Sequence, residues 1–387
     1  MPGHALIASA VRTPIGRRGG SLARVHAGVL LGEAIAEALR RSGVPPEAVD
    51  QVLAGCVTQV GDQAYNIGRI AWLTAGLPDS VPGTTLDAQC GSSHQAVSLA
   101  SALIESGGAD VVVAAGVEVM SRHPLGSNVQ AAVGDPLGAG YREHYEVINQ
   151  GESAERIADR WGIDRAECDA LGLRSQTLAR DAWAAGRFDA EVVAVDLPND
   201  EDEGRATLAR DEGLRDSTIE GLGRLEAVFR ADGRHTAGNS SQISDAGAAM
   251  VLLSAEAAER FEVQPLGAVT AQTVVGVDPV LKLTGPIPAT ARILQRSGLA
   301  LDDFDLFEVN EAFASVVGAW LRETGAPLDK VNVNGGAIAL GHPVGATGVR
   351  LCGTAVHELR RRGGGRALVT MCCGGGLGTA TIIESDN

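Results

Sequence analysis

Apolar and polar positions in the first 120 residues alternate in two different ways. Residues 5–11 form a short apolar run typical of a buried strand, whereas apolar residues recur at helical spacing over 29–42 and stop at Gly43. The same alternation predicts strands at 51–60, 83–88 and 110–115, a helix at 66–75, and a second helix that follows residues 90–93 and ends near 106. Strands that alternate with helices in this way predict βαβ units in a layered α/β fold.

The pattern changes at Ser121, where the chain becomes more polar and gains most of its acidic clusters. Helical spacing dominates this region, at 152–161 and 165–185, and the acidic stretch 199–204 is predicted to be a surface loop. An apolar strand pattern resumes at 246–253. We interpret residues 121–244 as an inserted, mostly helical domain that caps a site.

The last third of the chain repeats the order of predicted elements found in the first third. Residues 91–116 and 348–373 each begin with a helix opened by glycine, close it at a glycine pair and continue into a short apolar strand. This internal symmetry predicts two similarly folded halves. The first half spans 1–120 and is completed by about 245–265, and the second spans 266–387. A shared site is expected where the loops of the halves meet.

Composition narrows the function classes. The chain has 387 residues, 45% of them hydrophobic, and a net charge of −16, which makes nucleic acid an unsuitable partner. No apolar run approaches the roughly 20 residues that span a bilayer, and residues 1–20 do not resemble a secretory signal. We therefore expect a cytoplasmic protein without a membrane partner. The spacing of its six cysteines fits neither a disulfide framework nor a metal site, so free thiols are expected.

Cys90 is a candidate nucleophile because it lies where a predicted strand ends and a helix begins. The free N–H groups and partial positive charge of a helix N-terminus favour a thiolate. The alternative is a buried structural cysteine. His342 lies in the glycine-rich segment 332–348, where it could take a proton from a thiol or be satisfied by local hydrogen bonds.

Cys372 and Asn310 each allow either a functional or a purely structural interpretation. Cys372 ends a predicted strand and opens a glycine loop that includes Gly374, which is either an anion-binding nest of backbone N–H groups or a simple glycine turn. Asn310 follows the apolar and acidic strand at 304–309. It either caps the next helix or holds a water in a site.

Taken together, these segments give the sequence a resemblance to the thiolases over almost its whole length. Residues 341–348 (GHPVGATG) are similar to the histidine signature of that family, and residues 372–378 (CCGGGLG) to its C-terminal cysteine signature. Residues 10–16 (AVRTPIG) resemble the family's start, and residues 236–241 (TAGNSS) resemble the loop that returns from the inserted domain. The resemblance implies an α/β/α/β/α layered fold.

The resemblance also implies an acyltransferase activity and assigns roles. Cys90 would take the acyl group, His342 would deprotonate it, and Cys372 would move the proton at the substrate α-carbon. Asn310 would hold a water that, with His342, stabilises one thioester oxyanion, and the N–H groups of Cys90 and Gly374 would form a second oxyanion hole. The reaction would be reversible, CoA-dependent cleavage of a 3-oxoacyl-CoA to acetyl-CoA or propionyl-CoA and a shortened acyl-CoA.

By the same resemblance, CoA and acyl-CoA are substrates, no cofactor is bound permanently, and the chain forms a homodimer or homotetramer. Ser241 resembles a CoA-contacting serine of the family, and Arg215 matches an arginine near the nucleotide. No metal is implied.

Some positions depart from the family pattern. Residues 87–89 (DAQ) replace an asparagine-arginine-hydrophobic run, His94 stands where an apolar residue is usual, and residues 149–151 (NQG) and 282–283 (KL) lack the methionines often found there. We therefore expect a longer, branched or cyclic acyl chain in a degradative pathway. A short-chain, biosynthetic acetoacetyl-CoA thiolase is the alternative. An inactive acyl-CoA-binding relative is a third reading, against which the joint presence of Cys90, His342, Cys372 and Asn310 argues.

Overall fold

The computed structural model describes residues 3–130, 132–198 and 206–386. The acidic stretch 199–204 lies outside the described residues. The strands are β1 (Ala5–Arg12), β2 (Gly16–Arg17), β3 (Gln51–Gly55), β4 (Gly83–Leu86), β5 (Val111–Val119), β6 (Val195–Asp196), β7 (Thr207–Leu208), β8 (Ser244–Leu253), β9 (Gly267–Gly276), β10 (Leu306–Val309), β11 (Gly365–Cys373) and β12 (Leu377–Ser385).

The α-helices include all of those that the sequence pattern predicted. They are α1 (Ala27–Ser42), α2 (Ile67–Thr74), α3 (Ser92–Glu105), α4 (Ala139–His144), α5 (Gln150–Trp161), α6 (Arg165–Ala184), α7 (Ile219–Gly223), α8 (Ala255–Arg260), α9 (Pro286–Ser297), α10 (Ala314–Thr324), α11 (Ala337–Leu340) and α12 (Thr347–Arg362).

One mixed sheet joins the two ends of the chain. Its strand order is β10-β11-β12-β9-β1-β8-β5-β3-β4, and β2 pairs with β8 at one end of that strand. The pairs β3–β4, β3–β5 and β10–β11 are parallel, as expected for crossovers through helices. Antiparallel pairing of β1 with β9 connects the five main strands of the first half to the four of the second.

Helices cover this sheet in layers. Buried side chains of α3 and α12, such as Val97 and Val356, share one core with Val112 of β5 and Val369 of β11. The opposite face of the first half packs against α1, α2 and α8, and the opposite face of the second half packs against α9 and α10. The result is the expected α/β/α/β/α arrangement, with α3 and α12 as the shared central layer.

The internal symmetry predicted from the sequence is present. Helix α3 leads into β5, which is parallel to β3, and α12 leads into β11, which is parallel to β10. The first turns of α3 and α12 touch, because the Val349 N–H donates to Ser93 Oγ at 3.2 Å. A side chain at Gly348 would overlap the backbone nitrogen of His94, so only glycine permits this approach.

One strand is shorter than predicted. The sequence pattern extends β3 to residue 60, but the strand ends at Gly55. The next residues leave the sheet because the N–H groups of Val57 and Thr58 donate to the buried carboxylate of Glu118, each at 3.0 Å. The apolar character of this stretch thus reflects burial in a loop, which periodicity cannot distinguish from a strand.

Helices α5 and α6 of the inserted segment pack against α10 and α11 of the second half. Each begins at a side-chain cap, with Asn149 accepting from the Glu152 N–H and Asp164 from the Glu167 N–H. The segment is also tied to β1, because the fully buried Arg12 contacts Asp211 through two hydrogen bonds of 2.7 and 3.0 Å. None of the helices within the described ranges combines the length and apolar character needed to cross a membrane.

Candidate active site

Cys90 lies between β4 and α3, one residue before the helix N-cap Gly91. The turn that presents it requires a positive φ of 53° at Gln89, a strained conformation for a residue with a side chain. Ser92 stabilises the turn, since its hydroxyl donates to the Gln89 carbonyl at 2.6 Å and accepts from the Ala88 N–H at 2.9 Å.

The chemistry of Cys90 differs from the expectation of a lowered pKa. Burial raises the pKa of the thiol to about 11, although N–H groups of Gly374 and of Cys90 itself hydrogen-bond the sulfur and act in the opposite direction. Loss of hydration therefore outweighs the helix N-terminus. Cys90 is a protonated thiol at neutral pH and needs a base when it reacts.

His342 lies between α11 and α12, and its backbone is held from both sides. Its N–H donates to the Gln242 carbonyl and to Ser244 Oγ, at 3.2 and 3.1 Å. Its ring atom Nδ1 lies 2.7 Å from Thr347 Oγ1, and the Thr347 hydroxyl donates its only hydrogen to the Pro343 carbonyl at 2.8 Å. Because that hydrogen is already used, Thr347 can only accept from His342. Nδ1 therefore carries the proton, and Nε2 is the acceptor atom of the ring.

The protonation state of His342 fits a base. Burial and the positive charge of Arg350 lower the pKa of His342 to about 3. The imidazole is therefore neutral at physiological pH and able to accept a proton.

Asn310 faces this acceptor nitrogen. Its Nδ2 lies 3.4 Å from His342 Nε2, and its Oδ1 is buried with no hydrogen-bond partner among the described residues. The expected alternative, a helix cap, is wrong, because α10 begins at Ala314 and its N-cap position is Phe313. An unpaired buried amide oxygen is a place for a water.

Cys372 and Gly374 lie at the end of β11. Burial, and next the neighbouring Cys90 sulfur, raise the pKa of Cys372, so it is also a thiol. Its neighbour Cys373 points to the other side of the strand, into the central core, where a side chain on Gly91 would lie 2.6 Å from its sulfur. Alternation along the strand thus separates the two adjacent cysteines.

The structure brings these predicted residues into two groups, and the residues within each group contact one another. Cys90, Cys372 and Gly374 form one group, and Asn310 and His342 form the other. Parallel pairing of β10 with β11 places Asn310 and Cys372 at neighbouring strand ends, while the touching first turns of α3 and α12 bring the segments that carry Cys90 and His342 together.

Ser241 and Arg215 belong to two segments of the inserted region that contact each other, on either side of α7. The Ser241 N–H donates to the Ala312 carbonyl at 3.0 Å, which places it beside the Asn310 segment. Arg215 is exposed, and its Nη2 donates to the Ala237 carbonyl at 3.1 Å, within the loop that leads to Ser241.

Sequence reasoning missed two residues that hold the site. Thr347 sets the His342 tautomer, and the signal was its hydroxyl five residues after the histidine. Glu118 accepts the N–H of Gly345 at 3.0 Å in addition to those of Val57 and Thr58, so it ties the histidine loop to the first half. A lone glutamate within an apolar strand was the available signal.

The six cysteines are all buried and free. In the part of the chain that the structure describes, no group of three or more histidine, cysteine or acidic side chains is arranged to hold a metal ion.

Comparison with known proteins assigns the family. Residues 5–256 match the thiolase N-terminal domain and residues 263–385 the thiolase C-terminal domain. The chain is 44% identical to the steroid 3-ketoacyl-CoA thiolase FadA6 of Mycobacterium tuberculosis, over 98% of this chain and 94% of that protein. It is 43% identical to the beta-ketoadipyl-CoA thiolase of Pseudomonas knackmussii, with 98% of each chain covered.

Solved structures agree. The acetyl-CoA acetyltransferase of Bacillus anthracis superposes with a TM-score of 0.92 at 40% identity, covering 99% of this chain and 98% of that one. Human mitochondrial 3-ketoacyl-CoA thiolase gives a TM-score of 0.91 at 36% identity, with both chains fully covered. The chain therefore belongs to the thiolase family and is an acyltransferase that acts on CoA thioesters.

Proposed function

We propose that this thiolase cleaves a 3-oxoacyl-CoA with CoA in a degradative pathway, through an acyl intermediate on Cys90. The observation that carries the proposal is the pairing of two buried thiols, Cys90 and Cys372, at the end of β11. One thiol can attack the substrate while the other holds a proton for the departing carbon. Relatives at 44% and 43% identity named for 3-ketoacyl-CoA and ketoadipyl-CoA substrates support the degradative direction.

In the first half-reaction, Cys90 Sγ attacks the C3 ketone while His342 Nε2 takes the thiol proton. The C2–C3 bond breaks, and its electron pair forms the enolate of acetyl-CoA. Cys372 donates its proton to C2, which leaves an acyl-Cys90, a Cys372 thiolate and a protonated His342. Attack coupled to proton transfer is required, because the neutral imidazole is a much weaker base than a free Cys90 thiolate.

In the second half-reaction, the Cys372 thiolate takes the proton from the incoming CoA thiol. The CoA sulfur attacks the acyl group, Cys90 leaves and recovers its proton from His342. The products are acetyl-CoA and an acyl-CoA shortened by two carbons. Every step is heterolytic and every proton returns, so the cycle itself consumes no redox equivalent.

Two oxyanions need stabilisation in this scheme. The enolate oxygen of the departing thioester would receive hydrogen bonds from protonated His342 and from a water on Asn310, whose Oδ1 is buried and unpaired in the described part of the chain. The oxyanion at the carbon bound to Cys90 would lie against the N–H groups of Cys90 and Gly374. Loss of one such donor typically costs about 3 kcal/mol of barrier.

The inserted segment 121–244 is the proposed CoA-binding cap. Ser241 would contact the pantetheine arm, because its N–H binds the Ala312 carbonyl two residues from Asn310. Arg215 would meet the nucleotide end with an exposed guanidinium, which a chain of net charge −16 needs to attract a polyanion. We also propose a cytoplasmic homodimer or homotetramer, by analogy with the family.

The test is turnover of a panel of 3-oxoacyl-CoAs, from acetoacetyl-CoA to long and cyclic chains, with native protein and with Cys90→Ala. We expect repeated, CoA-dependent turnover that releases acetyl-CoA with the native protein and none with Cys90→Ala. Without CoA, mass spectrometry should find the shortened acyl group on the peptide that contains Cys90. A strong preference for acetoacetyl-CoA would favour the short-chain biosynthetic alternative. Acyl-CoA binding without any turnover would point to an inactive relative and overturn the proposal.

A further inference from the structure

The outer wall of the site is made of hydrogen-bonding side chains. Gln89 and Gln150 flank Gly374, because a side chain there would meet Gln89 Oε1 at 3.0 Å and Gln150 Nε2 at 3.2 Å. Gln89 is oriented by Asp87, which accepts from its Nε2 at 3.2 Å. Gly374 in turn donates its N–H to the Cys90 sulfur. Two amides therefore lie beside the residue whose N–H binds the reacting thiol.

A lysine contacts the segment that leads into Gln150. Lys282 is half-buried, and its Nζ donates to the Ile148 carbonyl at 2.7 Å, two residues before Gln150. Its backbone is strained, with φ at +24°, in a tight turn closed by the Leu283 N–H and the Leu281 carbonyl. A strained turn that presents a half-buried lysine indicates that its position serves a purpose.

The ammonium group of Lys282 lacks a matching charge. Burial lowers the pKa of Lys282, and no acidic side chain in the described ranges contributes to offset this loss of hydration. Glu152, in the same first helical turn as Gln150, is already paired with Arg156 and Arg230. An ammonium has three donors, and the Ile148 carbonyl occupies one of them.

The remaining wall is apolar. Leu283, next to Lys282, shares one buried cluster with Ala312, Phe313 and Cys372, and Phe229 packs on it. The loop that carries Lys282 lies against the same glycine loop, since a side chain on Gly376 would meet Pro279 at 2.9 Å. The site thus combines an apolar wall at Cys372 with one unpaired cation and two amides at its outer edge.

We propose that the acyl chain cleaved by this enzyme bears a carboxylate at its far end, and that Lys282 is the residue that binds it, assisted by the amides of Gln89 and Gln150. The inference rests on the proposed thiolytic function and names its substrate class. A carboxylate supplies the charge that the half-buried ammonium lacks. The chain between thioester and carboxylate would lie on the apolar wall formed by Leu283 and Phe313.

The test compares substrates that differ only at the far end. Each ω-carboxylated chain (3-oxoadipyl-, 3-oxopimelyl- and 3-oxosuberyl-CoA) is paired with the uncharged chain of equal length (3-oxohexanoyl-, 3-oxoheptanoyl- and 3-oxooctanoyl-CoA). The readout is the ratio of kcat/KM within each pair, in which the amount of active enzyme and the contribution of CoA cancel. For at least one length, we expect the native enzyme to favour the carboxylate by at least about tenfold.

Three variants test whether Lys282 is the residue responsible for the preference for a carboxylate. Lys282→Met should lower the ratio by at least about tenfold, and Lys282→Arg should keep most of it, because both cations pair with a carboxylate. Lys330→Met is the matched control. Lys330 is the other lysine of the chain, and its Nζ also donates to a backbone carbonyl, that of Phe304 at 2.7 Å. This control should leave the ratio unchanged.

The outcomes are distinguishable. Turnover of uncharged chains without any preference for a carboxylate would overturn the inference and leave the proposed function intact, even if Lys282→Met failed to fold. If Lys282→Met lowers kcat/KM equally for both members of a pair, the ratio stays unchanged and the lysine does not recognise the far end of the chain, which also overturns the inference. Absence of cleavage for every substrate would remove the proposed function and this inference with it.

Discussion

The hydroxyl of Thr347 determines which nitrogen of His342 is the base, and Thr347→Val tests this. Valine has nearly the same shape but cannot accept the hydrogen bond from Nδ1, which is 2.7 Å long and fully buried. The Thr347 hydroxyl also donates to the Pro343 carbonyl, so the substitution removes the pair of bonds that orients the ring.

The size of the expected effect follows from the free-energy cost of leaving the Nδ1–H of His342 without an acceptor. A buried N–H without an acceptor costs about 1–3 kcal/mol, which shifts the ring towards the tautomer with hydrogen on Nε2. That tautomer cannot accept the Cys90 proton. Since about 1.4 kcal/mol corresponds to tenfold, the rate of Cys90 acylation should fall about 5- to 150-fold.

The assay is single-turnover formation of the acyl-enzyme, followed by quenching and mass spectrometry of the peptide that contains Cys90. The KM for CoA should change by less than about threefold, because the lost interaction does not bind substrate. Thr347→Ser keeps the hydroxyl and should acylate within about threefold of the native rate. Acylation of Thr347→Val at the native rate would refute the assignment of the tautomer.

Three further outcomes are expected. Gly348→Ala should destabilise the fold by about 3 kcal/mol, because its Cβ would overlap the backbone nitrogen of His94. Gly353→Ala in the same helix, with its closest contact at 3.4 Å, should change the urea midpoint little. Burial lowers the pKa of His94 to about 4, so its share of the stability is present above pH 6.5 and is lost as the pH falls from about 6.5 to 4. Between these pH values, the free energy of unfolding of His94→Leu should fall less steeply than that of the native protein, by about 1.4 kcal/mol per pH unit. Equal slopes for the two proteins would contradict the lowered pKa of His94. Glu118→Gln should lower the free energy of unfolding by about 1.5–3 kcal/mol and slow turnover, because the new amide would face N–H donors such as that of Gly345. Thermal melting measures the loss of stability and kcat measures the loss of activity. An unchanged melting temperature would argue against the role of the carboxylate.

Much of the architecture was predictable from local pattern. The helices α1, α3, α5 and α6 lie within two residues of the periodic segments that predicted them, because burial of one face imposes that period on the sequence. The repeat of 91–116 in 348–373 predicted two similarly folded halves, and the units α3–β5 and α12–β11 show this similarity. The end of β3 was not predictable, because the acceptor that ends it, Glu118, is about 60 residues away.

The same distinction between local pattern and tertiary contacts applies to the active site. The sequence by itself determined which reactive groups the protein has and that glycine-rich segments present Cys90, His342 and Cys372, because those segments encode their own turns. Only the tertiary structure decided how these groups behave. Burial under distant elements raises the pKa of Cys90 against the pull of its helix, and strand pairing turns Asn310 towards His342 instead of a helix end. Hydration and partners depend on what the rest of the chain places around a side chain, and no local pattern contains that information.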